Sequence, residues 1–342
     1  MTTWMKAALA VLILMILGAG GAFLAARHYV ETPLDQAGNA TVVFTVEQGE
    51  NLRTVSKKLE DEGLIRWAEA FRTYGRYRKA PLQAGEFELS AGMSPRRILE
   101  VLAYGKPILY RLHFAEGLTM REVALAVNAT GLTTGERFLA ACRDADFLRG
   151  QGINATDAEG YLFPETYFFA RIPDQDPYPI LKALLDRFRA SVAELPQAAD
   201  PAELHRIVIL ASLVEKETAV PAERPAVAGV YARRLAIGML LQCDPTVIYG
   251  LGENFDGNLR RAHLQDPTNP YNTYVRPGLP PGPICSPGKA SLLAAANPEK
   301  HDFLYFVGRQ DGSHHFSRTL SEHNNAVIKY QRKGRPFPTR QE

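Results

Sequence analysis

ELHRIVILASLVEKET, residues 203–218, runs for sixteen residues without a Gly or Pro. Its apolar spacing predicts an amphipathic helix, and Pro221 predicts its end. Turning about 100° per residue from Glu217 puts Leu210 at about 20°, Val214 at about 60°, Ile207 at about 80° and Leu213 at about −40°. Glu217 therefore falls on the apolar stripe. Glu215, at about 160°, sits at its margin, and Lys216, at about −100°, lies off centre. Of the two carboxylates, Glu217 is the one expected to face the core or a cleft.

A carboxylate on an apolar face is costly unless it is protonated, paired or functional. Apolar neighbours disfavour its charged form. The last helical turn adds the negative end of the macrodipole. Both effects raise the pKa, as a general acid working near neutral pH requires. A structural alternative stands beside this reading: a salt bridge from the Glu to Arg206, Arg224 or Arg234. A serine hydrolase built on Ser212 is disfavoured, because Ser212 points away from Glu217 and lacks the glycines of a nucleophile elbow.

Upstream, Tyr178 to Ala193 reads as an amphipathic helix, and EGYLFPETY (159–167) is an aromatic stretch broken by Pro164. TVVFTV (41–46) is strand-like, and after a turn Leu52, Val55, Ser56 and Leu59 recur at helical spacing. A similar strand–turn–helix start surrounds Gly117. Gly49 and Gly117 are 68 residues apart, as are Leu52/Met120, Arg53/Arg121 and Val55/Val123, which suggests a weak internal repeat. Phe44 to Leu59 resembles the strand, turn and first helix of a LysM module, a small βααβ unit that grips N-acetylated glycans. A plain α/β subdomain without a sugar site is the alternative.

AALAVLILMILGAGGAFLAA (Ala7 to Ala26) carries no charge, with Lys6 before it and Arg27 after it. Twenty helical residues span about 30 Å, the thickness of a bilayer core. Small residues at 22–26 leave a cleaved signal peptide as the rival reading. The length of the apolar run favours an uncleaved single-pass anchor, with the body outside the cytoplasmic membrane. The 342 residues, 46% hydrophobic and 22% charged, predict a folded body of two domains or slightly more. A net charge of +2 gives no global pointer to nucleic acid. Basic and aromatic residues do interleave from Arg66 to Lys79. In an exported chain that run reads as a solvated helix face, or a contact for anionic lipid or glycan peptides. Cys142, Cys243 and Cys285 form no C-x-x-C pair. Isolated buried thiols are expected, and a Cys243–Cys285 disulfide is the oxidising-compartment alternative.

ASLVEKETAVPAERPAVAGVYARRLAIGMLLQCDPTVIYGLG (211–252) closely resembles the YceG-like family of endolytic murein transglycosylases. So do YNTY (271–274), GLPPGPICSPG (278–288), LYFV (304–307), the GSHHF…EHN segment (312–324) and EGYLFPETY. The resemblance covers nearly the whole chain. It implies an α+β fold: an N-terminal transmembrane helix (1–30), a LysM-like membrane-proximal region (31–155) and a mixed α+β catalytic domain (156–342). It implies Glu217 as the catalytic acid–base, followed by Thr218, with no cofactor. The implied reaction cuts the β-1,4 bond between N-acetylmuramic acid and N-acetylglucosamine and leaves 1,6-anhydro ends. The implied partners are peptidoglycan strands and the peptidoglycan synthases (penicillin-binding proteins).

Within that frame Gln242, Asp244, Thr246, Tyr249, Asn272, Thr273 and Tyr274 are expected to line the groove. Asn272 and Tyr274 are expected to bond sugar amides or hydroxyls. For Asp244 a helix cap or turn role before Pro245 is the alternative. His314, His315 and His323 lack a metal-protease motif and are expected to bond structurally, with no metal. Arg233, Cys243 and Cys285 depart from the family pattern. A non-catalytic glycan-binding scaffold of the wall machinery is the competing function.

Overall fold

The computed structural model describes residues 3–38 and 40–332. Two compact units divide the chain. The first holds residues up to 110 together with 168–174, and the second holds 111–167 together with 175 onward. The expected boundary at 155/156 falls inside the second unit. The fold is mixed α+β, with three separate two-stranded sheets among the described residues.

In the first unit, α1 (Thr3–Glu31) is a 29-residue helix. Its segment Ala10–Glu31 is long and apolar enough to cross a membrane, alone in this among the described helices. The side chains of Ala7 to Leu9, part of the expected span, lie outside the described residues. The described apolar side chains from Val11 to Leu24 are open: Leu14, Ile16, Leu17 and Phe23 are each more than 60% exposed. A helix suits such a setting because it satisfies its own backbone polar groups.

β1 (Thr41–Val46) turns into α2 (Leu52–Asp61), whose N-terminus is capped by Asn51 Oδ1 accepting from the Arg53 and Thr54 amides. α3 (Ala68–Arg78) and β2 (Gly85–Ser90) follow, and β2 pairs antiparallel with β1, Phe44 opposite Phe87. α4 (Pro95–Tyr104) starts at a Ser94 cap with Pro95 in its first turn. Phe44, Val55, Leu59, Phe71, Phe87, Ile98 and Leu102 close the core. The basic–aromatic run lies largely on α3, which turns Phe71 and Gly75 inward and leaves Arg76, Tyr77 and Arg78 exposed.

β3 (Tyr110–His113) leads into the second unit and α5 (Met120–Ala129). The internal repeat is visible here. α2 and α5 each have ten residues, their N-caps Asn51 and Thr119 are 68 apart, and Gly49 and Gly117 share the same left-handed φ, +83° and +81°. Between residues 131 and 157 lie α6 (Gly135–Ala141) and α7 (Ala145–Gly150). β4 (Thr166–Phe169) pairs with β3, and α8 (Tyr178–Val192) follows.

α9 (Pro201–Glu217) is the centre of this unit. Asp200 caps it, Pro201 occupies its first turn, and Thr218 leaves it in an extended conformation. α10 (Arg224–Ala236), α11 (Asp244–Leu251) and α13 (Lys289–Ala296) pack around it, while α12 (Arg261–Leu264) is a single turn. The expected one-sided stripe is corrected: every residue from Ile207 to Val214 is buried. Small residues explain the far side. Ser212 is fully buried, donates to the Ile209 carbonyl at 2.7 Å and accepts the Ile284 amide at 3.0 Å, so the Pro-rich loop seats directly on the helix. With its hydroxyl so engaged, Ser212 is no nucleophile. The hairpin of β5 (Tyr305–Gly308) and β6 (His314–Ser317), followed by α14 (Leu320–Tyr330), completes the described part.

Candidate active site

The two carboxylates at the end of α9 meet different surroundings. Glu215 is 7% exposed and bonds Arg224 at 3.0 Å, while its second oxygen accepts the Gly288 amide at 2.9 Å. Arg224 also reaches Glu116 at 3.4 Å. Arg206 pairs with Glu203, and Arg234 donates to the carbonyls of Leu304 and Leu241 at 2.7 and 2.6 Å. All three arginines proposed as partners of Glu217 are thus engaged elsewhere.

Glu217 instead receives two uncharged donors on one oxygen. The Tyr231 hydroxyl donates to Oε1 at 2.9 Å and the Cys243 thiol donates to the same atom at 3.1 Å. Burial pushes its pKa up, against these two hydrogen bonds, which pull it down. Asp244 adds to the rise and His314 opposes it. The side chain borders two cavities. One, of about 820 Å³, is walled by His113–Glu116, Pro164–Thr166 and Glu215–Ala219. The other, of about 470 Å³, is walled by Arg234, Gln242, Asp244, Tyr274, Tyr305 and His314 among others.

The expected groove residues divide into two groups. Gln242, Asp244 and Tyr274 line the smaller cavity beside Glu217. Gln242 is held at a left-handed φ of +51°, a strained setting for a non-glycine residue. Asp244 is the first residue of α11 rather than its cap, and its carboxylate accepts from the Tyr274 hydroxyl at 2.5 Å. Thr246, Asn272 and Thr273 are buried and engaged within the chain. Thr246 donates to the Cys243 carbonyl and bonds Thr273, whose hydroxyl accepts the Cys243 amide. Asn272 donates to the carbonyls of His263, Leu264 and Asp266 and accepts the Tyr274 amide. Its amide group therefore shapes the loop that carries Tyr274. Tyr249 stands away from both cavities and donates to Glu159 at 3.0 Å.

Tyr231 and His314 were not singled out as site residues by sequence. Tyr231 lies on α10 and reaches Glu217 across the helix packing, so no local periodicity marks it. His314 is held by Glu223 at 2.7 Å, His315 lies beside Tyr330, and His323 stacks on Tyr305. The three cysteines are free and buried; Cys243 bonds Glu217, while Cys285 contacts the Ser212 carbonyl.

A carboxylic acid with a raised pKa, free of a salt bridge among the described residues and set between two cavities, is the equipment of an acid–base enzyme. Residues 44–329 match the YceG-like family, and the chain belongs to that family. The endolytic murein transglycosylase of Bacillus subtilis (strain 168) is 32% identical over 329 residues, covering 91% of this chain and 90% of that one. That of Streptococcus pneumoniae serotype 2 (strain D39) is 27% identical over 356 residues, covering 93% of this chain and 63% of the longer relative. A 2.6 Å crystal structure of a YceG-like protein from Listeria monocytogenes superposes with a TM-score of 0.57 at 31% identity, covering 84% of this chain and 99% of that one. The protein is an enzyme, of the lyase kind that the relatives' names describe.

Proposed function

We propose that this protein cleaves peptidoglycan strands internally, as an endolytic murein transglycosylase, with Glu217 as its one acid–base group. The observation that carries this reading is the position of Glu217: half-buried, free of a salt bridge among the described residues, and bordering cavities on two sides. Two cavities meeting at one acid suit a strand that continues in both directions from the scissile bond. The protonated carboxyl gives its proton to the glycosidic oxygen as the bond from C1 of N-acetylmuramic acid breaks. The substrate's own N-acetyl group supports the charge at C1. The carboxylate then takes the proton of the C6 hydroxyl as O6 closes on C1. One carboxylate serves both steps because no water has to be activated, unlike a two-carboxylate hydrolase. Gln242, Asp244 and Tyr274 contact the sugars. Thr246, Asn272 and Thr273 hold the walls in which those contacts sit.

Residues 1–30 anchor the chain in the cytoplasmic membrane with the body on its outer face. Residues 31–155 form the membrane-proximal region, and 156–342 the catalytic part. The β1-α2-α3-β2 order of the first unit supports a LysM-like glycan grip there. Held beside the membrane, the enzyme terminates nascent strands next to the peptidoglycan synthases. The test is digestion of purified glycan strands by the wild type and by Glu217→Gln, read by mass spectrometry. 1,6-Anhydro ends from the wild type alone support the proposal. Ends made equally by both would remove Glu217 from the mechanism, and ends from neither would favour a glycan-binding scaffold.

A further inference from the structure

We infer that Tyr231 and Cys243 are positioning residues that confine the working proton of Glu217 to Oε2. The inference rests on the proposal that Glu217 is the acid–base group. Both donors point at Oε1, at 2.9 and 3.1 Å, and among the described residues no hydrogen bond reaches Oε2. A neutral carboxyl has one carbonyl oxygen and one hydroxyl. An oxygen that already accepts two hydrogen bonds is the carbonyl, so the proton resides on the other. The side chain is thereby fixed with its acidic oxygen free for a glycosidic oxygen.

The two donors are themselves held in place. Tyr231 is 1% exposed and meets the Phe306 ring edge-on at 6.0 Å. Cys243 is fully buried, and its backbone is tied at both ends: its amide donates to Thr273 Oγ1 at 3.0 Å, and its carbonyl accepts from Thr246 Oγ1 at 2.7 Å. The preceding Gln242 amide donates to the Thr273 carbonyl at 3.1 Å. The thiol is therefore presented by a rigid frame. This gives the buried residues Thr246 and Thr273 a function: they aim Cys243, which aims Glu217. The other titratable or charged groups electrostatically coupled to Glu217 are Asp244, Tyr274, Arg234 and His314.

The test compares Tyr231→Phe, Cys243→Ala and Cys243→Ser with the wild type in the full-length protein. The readouts are kcat and KM on purified strands across pH, with Tm recorded for each variant. Tyr231→Phe and Cys243→Ala are each expected to lower kcat at least about tenfold, the scale of one hydrogen bond to an ionisable group, with KM unchanged. Cys243→Ser retains a donor and is expected to restore most of kcat. Because both bonds favour the charged carboxylate, their loss raises the pKa of Glu217. The limb where activity falls with rising pH then moves to higher pH. That movement does not depend on the fraction of folded protein, so a simple loss of stability cannot mimic it. An unmoved limb, or Cys243→Ser as impaired as Cys243→Ala, would overturn the inference. A wild type that makes no anhydro ends would instead overturn the reading of Glu217 on which it rests.

Discussion

Glu215 and Glu217 lie two residues apart at one helix end, and their chemistry is separated by a single cation. Arg224, on the next helix, neutralises Glu215 and leaves Glu217 alone. The helical wheel told the two apart by the face each occupies, which is only part of the difference. It placed Glu215 at the margin of an apolar face, whereas the structure buries that side chain as well. What distinguishes the pair comes from α10, and no local pattern encodes a contact between two helices. Replacing Arg224 by Ala strands the Glu215 charge and is expected to cost about 3–5 kcal/mol, measured by denaturant unfolding. Glu217→Gln removes a costly charge and is expected to leave Tm unchanged or raised while activity disappears. Equal losses of stability from the two substitutions would contradict this division.

Glu159 makes a second statement at this scale. Burial pushes its pKa from 4.5 to about 7, against the bonds from the Met120 amide and the Tyr249 hydroxyl. Between those two values the folded protein keeps a proton that the unfolded chain has released. Stability therefore falls as pH rises from about 4.5 to about 7, by about 3 kcal/mol in all, and is flat above. Urea midpoints taken across that range in the wild type and Glu159→Gln check the sign, since the variant should show a flatter profile. The motif containing Glu159 was legible in the sequence, but its role as partner of the α5 N-terminus was not, because the two lie 39 residues apart.

At the scale of elements, local pattern carried far. TVVFTV is β1 with the same bounds, and the helix read over 203–218 spans 201–217. The 68-residue repeat reappears in caps and left-handed glycines because both are set by side chains within a turn of each other. What pattern missed is the all-round burial of α9, which depends on a loop some seventy residues downstream. Gly160 records the same packing. Its φ is +82°, and a Cβ there would lie 2.7 Å from Pro283 Cγ and 2.8 Å from Val208 Cγ1. Gly160→Ala therefore combines backbone strain with overpacking and is expected to destabilise by about 2–4 kcal/mol. A Tm equal to that of the wild type would mean that loop and helix are not closely packed at this point.

For the whole molecule, the apolar helix and the enzyme body are separable in energetic terms. The core of the first unit is built from residues 44–102 and uses none from α1, whose apolar side chains from Val11 to Leu24 are exposed. The helix end is attached chiefly by Tyr29, stacked on Trp67 at 5.4 Å with its hydroxyl on the Trp67 carbonyl at 2.9 Å. A chain lacking residues 1–26 keeps that contact and every residue around Glu217. It is expected to leave the membrane fraction, unfold at the wild-type denaturant midpoint, and cut purified strands in solution at an unchanged rate. In cells it should act poorly on strands emerging at the membrane. Under the proposed function the anchor confines the enzyme to a thin layer next to its substrate, and that rise in effective concentration is lost when it is removed. Glycan length distributions from cells expressing the two forms at equal levels measure the difference, with longer strands expected for the truncated form. Strands of normal length would show that encounter from solution suffices, and that the anchor serves something other than access to the nascent strand.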